Sequence, residues 1–490
     1  MSLPHIAQIA IDRSSPTTVY EQIANQIIAL IRSGVLAPGQ RLVSTREMAV
    51  QLAVHRKTVV AAYDELLAQG WLVGQMGSGT FVSKTLPVVQ PQSLIPSGAG
   101  AWEKAGFTID KNSALRRALV HSVGQYHLDD GFPDARLAPL AALGRGYKQQ
   151  LLKRNPYQRL GYSDMRGSMA LRQQLAIYLN ETRGLRIGVD NIMIVRGTIM
   201  GVFMAATTLV KPGETVLVST GSWGSATSCF KHAAAHIITI PVDENGIIVA
   251  EIEDICAKYP VRMIYLTPHH NYPTTVSLKA DRRLKLLELA KKYRFIIFED
   301  DYDYDFHYQN KPLLPLASAD SEGLTLYGGS FTKSISPAFR VGYLVAPKDV
   351  IDYLADYRRI IDRQGDSILE NTVAELLADG TIQKHLRQSL KAYRQRRDYF
   401  CGAMKAVLGD KVAFQVPEGG LAVWTKFDPR IDMVAVKQKV MHEGLFIPTC
   451  FSNDPTDDWY NHCRLGFASQ DMDELEKSVE ILGRAVLYKV

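Results

Sequence analysis

The 490-residue sequence predicts two folds in one chain: an α+β winged helix-turn-helix over residues 1–83 and a larger α/β domain over residues 126–490. Three observations predict it. Near the N-terminus, two short helical segments flank a tight break and precede a hairpin turned at Gly-Ser-Gly. Beyond residue 126, helical stretches alternate with short apolar runs, the pattern of a mostly parallel sheet. Between them, residues 84–100 carry three prolines and closing glycines without periodicity, so 84–125 reads as a linker.

Each element has its own signal. Val19, Tyr20, Ile23, Ile27, Leu30 and Ile31 form one helical stripe, Pro16 suits a first turn, and Gly34 is the stop. A second helix opens at Ser44, with Glu47 at capping-box spacing and Met48, Ala49 and Leu52 on its inner face. The third runs from His55 to Leu67 and ends at Gly70. Its first turn carries Arg56, Lys57 and Thr58, the part of such a helix that reaches base edges and phosphates. Two apolar strands around 77–79 make the wing. Residues 1–85 hold seven Lys/Arg against five Asp/Glu, a net of +2, but Arg41, Arg46, Arg56 and Lys57 are opposed locally by Glu47 alone. A solvated basic face is the plainer alternative to DNA binding.

In the large domain, 215–219, 263–267, 295–299 and 324–327 read as strands buried on both faces, with a helix over 282–293. In such sheets ligands sit beyond the carboxyl ends of the strands. Trp223, then His269, His270 and Asn271, then Asp300 and Tyr302, and finally Lys333 follow four different strands.

Composition excludes several classes. A net charge of +6 is mild for this length and does not by itself argue for nucleic acid. The five cysteines (229, 256, 401, 450, 463) include no C-x-x-C, so neither a disulfide framework nor a zinc site is expected, which fits a reducing cytoplasm. No signal pattern opens the chain, and the apolar run 197–210 is too short to span a bilayer, so a soluble cytoplasmic protein without a membrane partner is expected. Asp301, Asp303 and Asp305 alternate as in a calcium loop, but Phe306 stands where glycine is required and Pro312 where glutamate is. His269 and His270 are adjacent, point differently and lack a completing ligand set, so no metal is expected.

The segment Gly328-Gly329-Ser330-Phe331-Thr332-Lys333, with Arg340 seven residues on, suits covalent capture of a phosphorylated aldehyde. A deprotonated lysine forms a Schiff base with a carbonyl, and a desolvating neighbourhood lowers its pKa enough. Ser330 and Thr332 offer hydroxyls and Arg340 a planar fork for a phosphate. A surface lysine in a Gly/Ser-rich loop reads the same segment equally well.

With these motifs in place, the N-terminal unit resembles the winged helix of GntR-type transcription regulators. The matching residues are Val43-Ser44-Thr45-Arg46, then His55-Arg56-Lys57-Thr58-Val59 with Ala62-Tyr63, then Gly77-Ser78-Gly79-Thr80. The resemblance implies a double-stranded DNA operator met by Arg46, His55, Arg56, Lys57, Thr58 and Gly79. His55 replaces the usual serine and is expected to cap the helix more weakly.

The large domain resembles a fold type I aminotransferase dependent on pyridoxal 5'-phosphate (PLP), and the whole chain resembles the MocR subfamily of GntR regulators. That resemblance implies Lys333 as the Schiff-base lysine, Asp300 against the pyridinium nitrogen and Tyr302 on the ring's phenolic oxygen. It implies Ser330, Thr332 and Arg340 on the phosphate, with Gly197 and Thr198 at a helix start. Trp223 takes the ring-stacking place, Asn271 lies on the cofactor face, and Arg464 matches the arginine for a substrate carboxylate. Tyr162 matches a tyrosine that crosses to the other subunit of a homodimer. Residues 197–200, 219–223 and 267–275 depart from the family's usual motifs. The expected function is a regulator that senses a small amine, an amino acid or PLP itself through Lys333. An active aminotransferase with an appended winged helix, or an aminotransferase fold kept only for dimerisation, are the other expectations.

Overall fold

The computed structural model describes residues 9–75, 77–86, 104–111, 124–309, 313–452 and 454–487. The chain divides into two compact units between Ile109 and Asp110, inside the expected linker. Most of that linker, 87–103 and 112–123, lies outside the described residues.

The first unit holds α1 (Val19–Arg32), α2 (Thr45–Gln51), α3 (Arg56–Ala68), β1 (Leu72–Gln75) and β2 (Gly79–Val82). Thr18 caps α1, which leaves Pro16 ahead of the first turn: the Glu21 carboxylate accepts from the Thr18 N–H at 3.1 Å. Ser44 Oγ accepts from the Glu47 N–H at 3.2 Å and starts α2. The break to α3 passes through Ala53, left-handed at φ 51°. His55 caps α3, its Nδ1 accepting from the Lys57 N–H at 3.2 Å. An imidazole nitrogen placed there serves the orphan amide as a serine hydroxyl would. The strands pair antiparallel from Leu72–Val82 to Gln75–Gly79. Ile23, Ile27, Val59, Leu66, Trp71 and Val82 close a core within this unit.

The second unit is built on a seven-stranded sheet. Its strands are β3 (Ile192–Val195), β4 (Thr215–Ser219), β5 (His236–Ile240), β6 (Val261–Leu266), β7 (Ile296–Asp301), β8 (Thr325–Ser330) and β9 (Gly342–Val345). The spatial order is β3-β9-β8-β7-β6-β4-β5. All neighbours run parallel except β9, which is antiparallel to both β8 and β3. Helix α4 (Thr198–Leu209) covers one face, where Met204, Ala205, Val216, Val218 and Phe298 pack together. Helix α6 (Ala280–Tyr293), which follows α5 (Gly224–His232), covers the other with Leu217, Ile264, Leu286 and Ile297. Burial on both faces explains the unbroken apolar runs, each fully buried large side chain contributing about 1.5–3 kcal/mol. A smaller antiparallel sheet follows, made of β10 (Val412–Phe414), β11 (Ala422–Phe427) and β12 (His462–Gly466).

One expectation fails here. Cys450 and Cys463, 13 residues apart, are disulfide-bonded. No motif marks the pair in sequence; the Phe451 N–H donates to the His462 carbonyl at 2.9 Å and lays the two segments side by side. Among the described residues, no helix is long and apolar enough to cross a membrane.

Candidate functional site

The parallel strands β4, β6, β7 and β8 end at one edge of the sheet, and a cavity of about 380 Å³ lies there. Trp223, Asp300, Tyr302, Lys333, Arg340 and Arg464 line it, as do Thr198, Ser330 and Thr332. Register explains part of the convergence: Asp300 and Asp301 on β7 lie opposite Gly328 and Gly329 on β8. The chain then turns, and Lys333 faces into the same space from the loop after β8.

Lys333 Nζ donates to the Gly131 carbonyl at 2.6 Å and sits 4.6 Å from the centre of the Phe132 ring. Desolvation lowers its pKa, more than nearby Asp130 and Asp129 raise it. The amine is thereby moved toward its nucleophilic, neutral form. Asp300 is buried, and its Oδ2 accepts from the Tyr265 hydroxyl at 2.6 Å. Its Oδ1 is buried with no hydrogen-bond partner. Desolvation pushes this carboxyl up to about 7, against the lowering effect of the Tyr265 hydroxyl and, more weakly, of the Thr198 hydroxyl. A buried carboxylate with one oxygen left unpaired at the cavity wall is a place for a cation or an N–H donor.

The opposite end is built for an anion. Gly197 caps the twelve-residue α4 at φ 74°, and a Cβ there would lie 2.7 Å from Arg340 Nη2. Glycine is therefore required twice, for the backbone angle and for the approach of the guanidinium. Arg340 Nη2 donates to the Arg196 carbonyl at 2.7 Å, which holds the fork over the helix start. Ser330 Oγ donates to Thr332 Oγ1 at 2.6 Å and accepts from the Thr332 N–H at 3.0 Å. A lysine amine, a carboxylate and an arginine-flanked helix start suit a phosphorylated pyridine aldehyde: carbonyl, ring nitrogen and phosphate each meet a complementary group.

Tyr302 donates to the His270 carbonyl at 2.9 Å and accepts from Arg464 Nη2 at 3.4 Å. His270 Nδ1 lies 2.7 Å from Asp303 Oδ1 and His269 Nδ1 3.3 Å from Asp301 Oδ1, so each histidine has a carboxylate partner. Two expected residues stand apart. The Asn271 amide donates to Thr274 Oγ1 at 3.0 Å and to the Tyr272 carbonyl at 3.3 Å, bonds made within its own loop. Tyr162 is 78% exposed, with the Arg363 guanidinium 4.0 Å from its ring centre, and does not line this cavity.

Sequence reasoning missed Asp130, Phe132, Tyr265 and Tyr272, all of which line the cavity. Tyr265 was hidden as one more large residue in an apolar strand. The others come from turns, and the polar cluster Asp129-Asp130-Gly131 was the available signal.

On the first unit, Arg46, His55, Arg56, Lys57 and Gly79 are exposed and Thr58 is half-buried. Arg56 Nε donates to Thr45 Oγ1 at 3.4 Å, and a Cβ on Gly79 would come within 3.0 Å of Arg41 Nε. A helix-turn-helix with these cations and a wing beside it is a DNA-reading arrangement.

Comparison with known proteins bears on both units. Residues 122–482 match the class I and II aminotransferases, and residues 19–82 match the bacterial regulatory proteins of the gntR family. The chain is 26% identical over 489 residues to the probable rhizopine catabolism regulatory protein MocR of Rhizobium meliloti, covering 98% of this chain and 96% of that protein. It is 28% identical over 428 residues to the pyridoxine biosynthesis transcriptional regulator PdxR of Corynebacterium glutamicum, covering 87% of each. The kynurenine aminotransferase of Pyrococcus horikoshii superposes with a TM-score of 0.68 at 25% identity, over 74% of this chain and 91% of that one. The chain thus belongs to the class I and II aminotransferase family, in the MocR subfamily that joins this fold to a GntR winged helix, and it is a PLP-dependent DNA-binding transcription regulator.

Proposed function

We propose that this regulator senses a small amine, an amino acid or PLP itself at Lys333, and that occupancy there alters its grip on a double-stranded operator. The observation that carries this reading is one cavity holding a lysine of lowered pKa, a buried carboxylate lacking a partner on Oδ1, and a guanidinium over a helix start. When bound, PLP supplies an electrophilic carbonyl and an electron-withdrawing ring. Lys333 supplies the amine that meets that carbonyl. Asp300 Oδ1 would hold the proton of the ring nitrogen, with Tyr265 orienting the carboxylate through Oδ2. Tyr302 would turn its hydroxyl from the His270 carbonyl to the phenolic oxygen, and Trp223 would face the ring. Ser330, Thr332, Arg340 and the amides after Gly197 hold the phosphate. Arg464 stands at the effector end. Asn271 acts indirectly, by fixing the loop that carries Tyr272.

Arg46, His55, Arg56, Lys57, Thr58 and Gly79 meet the DNA, and a cytoplasmic homodimer presents two winged helices to a two-fold operator. Tyr162, exposed on one protomer, is the residue that crosses to the other. An effector shifts the dimer only through a difference in affinity between its arrangements. Retardation of DNA from upstream of its own gene, with and without PLP and candidate amines, tests the reading. A PLP-dependent shift that Lys333→Ala abolishes is expected; no shift under any condition overturns it. The intact lysine, carboxylate and arginine set also favours a second reading, an active aminotransferase. Steady turnover of an amino acid with a keto acid at ordinary enzyme rates decides for that one.

A further inference from the structure

The effector end of the cavity already contains a carboxylate. Asp130 Oδ1 lies 3.1 Å from Arg464 Nε, and its Oδ2 accepts from the Tyr272 hydroxyl at 3.0 Å. Arg464 is buried, and its other nitrogens also have oxygen partners: Nη1 donates to the Pro273 carbonyl at 3.0 Å and Nη2 to Tyr302 at 3.4 Å. Nη1 and Nη2 are thus hydrogen-bonded, while Nε makes an ion pair with Asp130 without an aligned hydrogen bond. The same loop carries Gly131, whose carbonyl accepts from Lys333 Nζ, so Asp130 stands beside the amine where an effector must arrive.

We propose that Asp130 is an internal counter-ion that occupies Arg464 and makes this regulator selective for primary amines bearing no carboxylate on the amine-bearing carbon. The reasoning is electrostatic and rests on Lys333 being the effector site. A guanidinium facing a cavity ordinarily recruits a ligand carboxylate, with charge-assisted bonds of high geometric specificity. Here the Asp130 carboxylate neutralises that cation. An incoming α-carboxylate must either displace Asp130 into a partnerless position or lie beside it, a like-charge contact in a partly desolvated space. A simple alkyl amine brings no second anion and leaves the Arg464–Asp130 pair intact. Discrimination by such an unfavourable pairing is stronger than an added apolar contact would give.

Two ligands matched in chain length separate the alternatives: butylamine and L-norvaline, titrated into the PLP-loaded full-length protein. Dissociation constants come from the visible-edge absorbance, and midpoints of DNA retardation give an independent readout. The wild-type protein is expected to bind butylamine at least tenfold more tightly than L-norvaline. Asp130→Asn keeps the shape and removes the charge, and L-norvaline should then bind at least tenfold more tightly relative to butylamine than it does in the wild type. Tyr272→Phe, which removes the hydroxyl that donates to Asp130 Oδ2, should move L-norvaline in the same direction by a smaller factor. A PLP-loaded wild type that prefers L-norvaline, or an Asp130→Asn protein whose L-norvaline affinity relative to butylamine is unchanged, overturns the proposal alone. A wild type that takes up no PLP overturns the sensing reading and this proposal with it.

Discussion

Asp300 carries a consequence that can be measured without any ligand. Its carboxyl titrates at about 7 in the folded protein, against an ordinary 3.8, because burial penalises the charged form. Between those two values the folded chain binds more protons than the unfolded one. Stability of the PLP-free protein therefore falls as pH rises from about 4 to about 7 and levels off above. Asp300→Asn keeps an acceptor for Tyr265 and has no charge to bury. The variant is expected to be more stable than wild type at pH 8, by roughly 1–4 kcal/mol, and equal to it near pH 4. Denaturant midpoints across that range test this, and parallel profiles for the two proteins would refute it. PLP affinity should move the other way, falling at least tenfold in the variant. At this scale the sequence was legible where chemistry needs a rare residue type: one lysine among hydroxyls, one acid at a strand end. It was not legible for Asp130, whose role depends on a 334-residue separation from Arg464 closing in space.

Elements were readable where a period or a cap marks them and blurred where burial overrides polarity. Strand β4 spans Thr215–Ser219 as its apolar run indicates, yet β7 runs on to Asp301, two residues beyond the apolar stretch. Pairing with Gly328 and Gly329 carries those carboxylates into the sheet, where Tyr265 and Tyr327 hydroxyls meet them. The helix-turn-helix break is a further case. Sequence showed a short break at Ala53-Val54 but not that Ala53 must take φ 51°, a conformation unfavourable by about 1 kcal/mol for a residue with a Cβ. Ala53→Gly relieves that strain while giving the unfolded chain more freedom. A net gain of about 0.5 kcal/mol is expected. Amide exchange in α2 and α3 should slow about twofold, a change that hydrogen-exchange measurements on the full-length protein can resolve. Faster exchange there would show that the Ala53 methyl group contributes packing that outweighs the strain.

At the scale of the molecule, the described residues of the winged helix close one apolar core, and those of the aminotransferase-like unit close their own. On the proposed reading, the operator meets the first unit and the effector the second. Any communication between them is a coupling free energy between arrangements of the whole protein, and such a coupling is reciprocal. If saturating effector changes the operator dissociation constant tenfold, about 1.4 kcal/mol, saturating operator must change the effector's dissociation constant tenfold in the same sense. On that reading the cavity supplies the readout, because an amine bound at Lys333 would alter the visible-edge absorbance of the PLP-loaded protein. Butylamine titrated with and without a saturating operator duplex gives one half of the cycle, and DNA retardation with and without butylamine gives the other. Equal factors are expected, and a shuffled duplex of the same length and charge should leave the amine titration unmoved. Unequal factors would mean that the amine acts on DNA through something other than equilibrium binding at this cavity. Factors of one in both directions would separate the two units functionally and leave the aminotransferase fold to act without the winged helix.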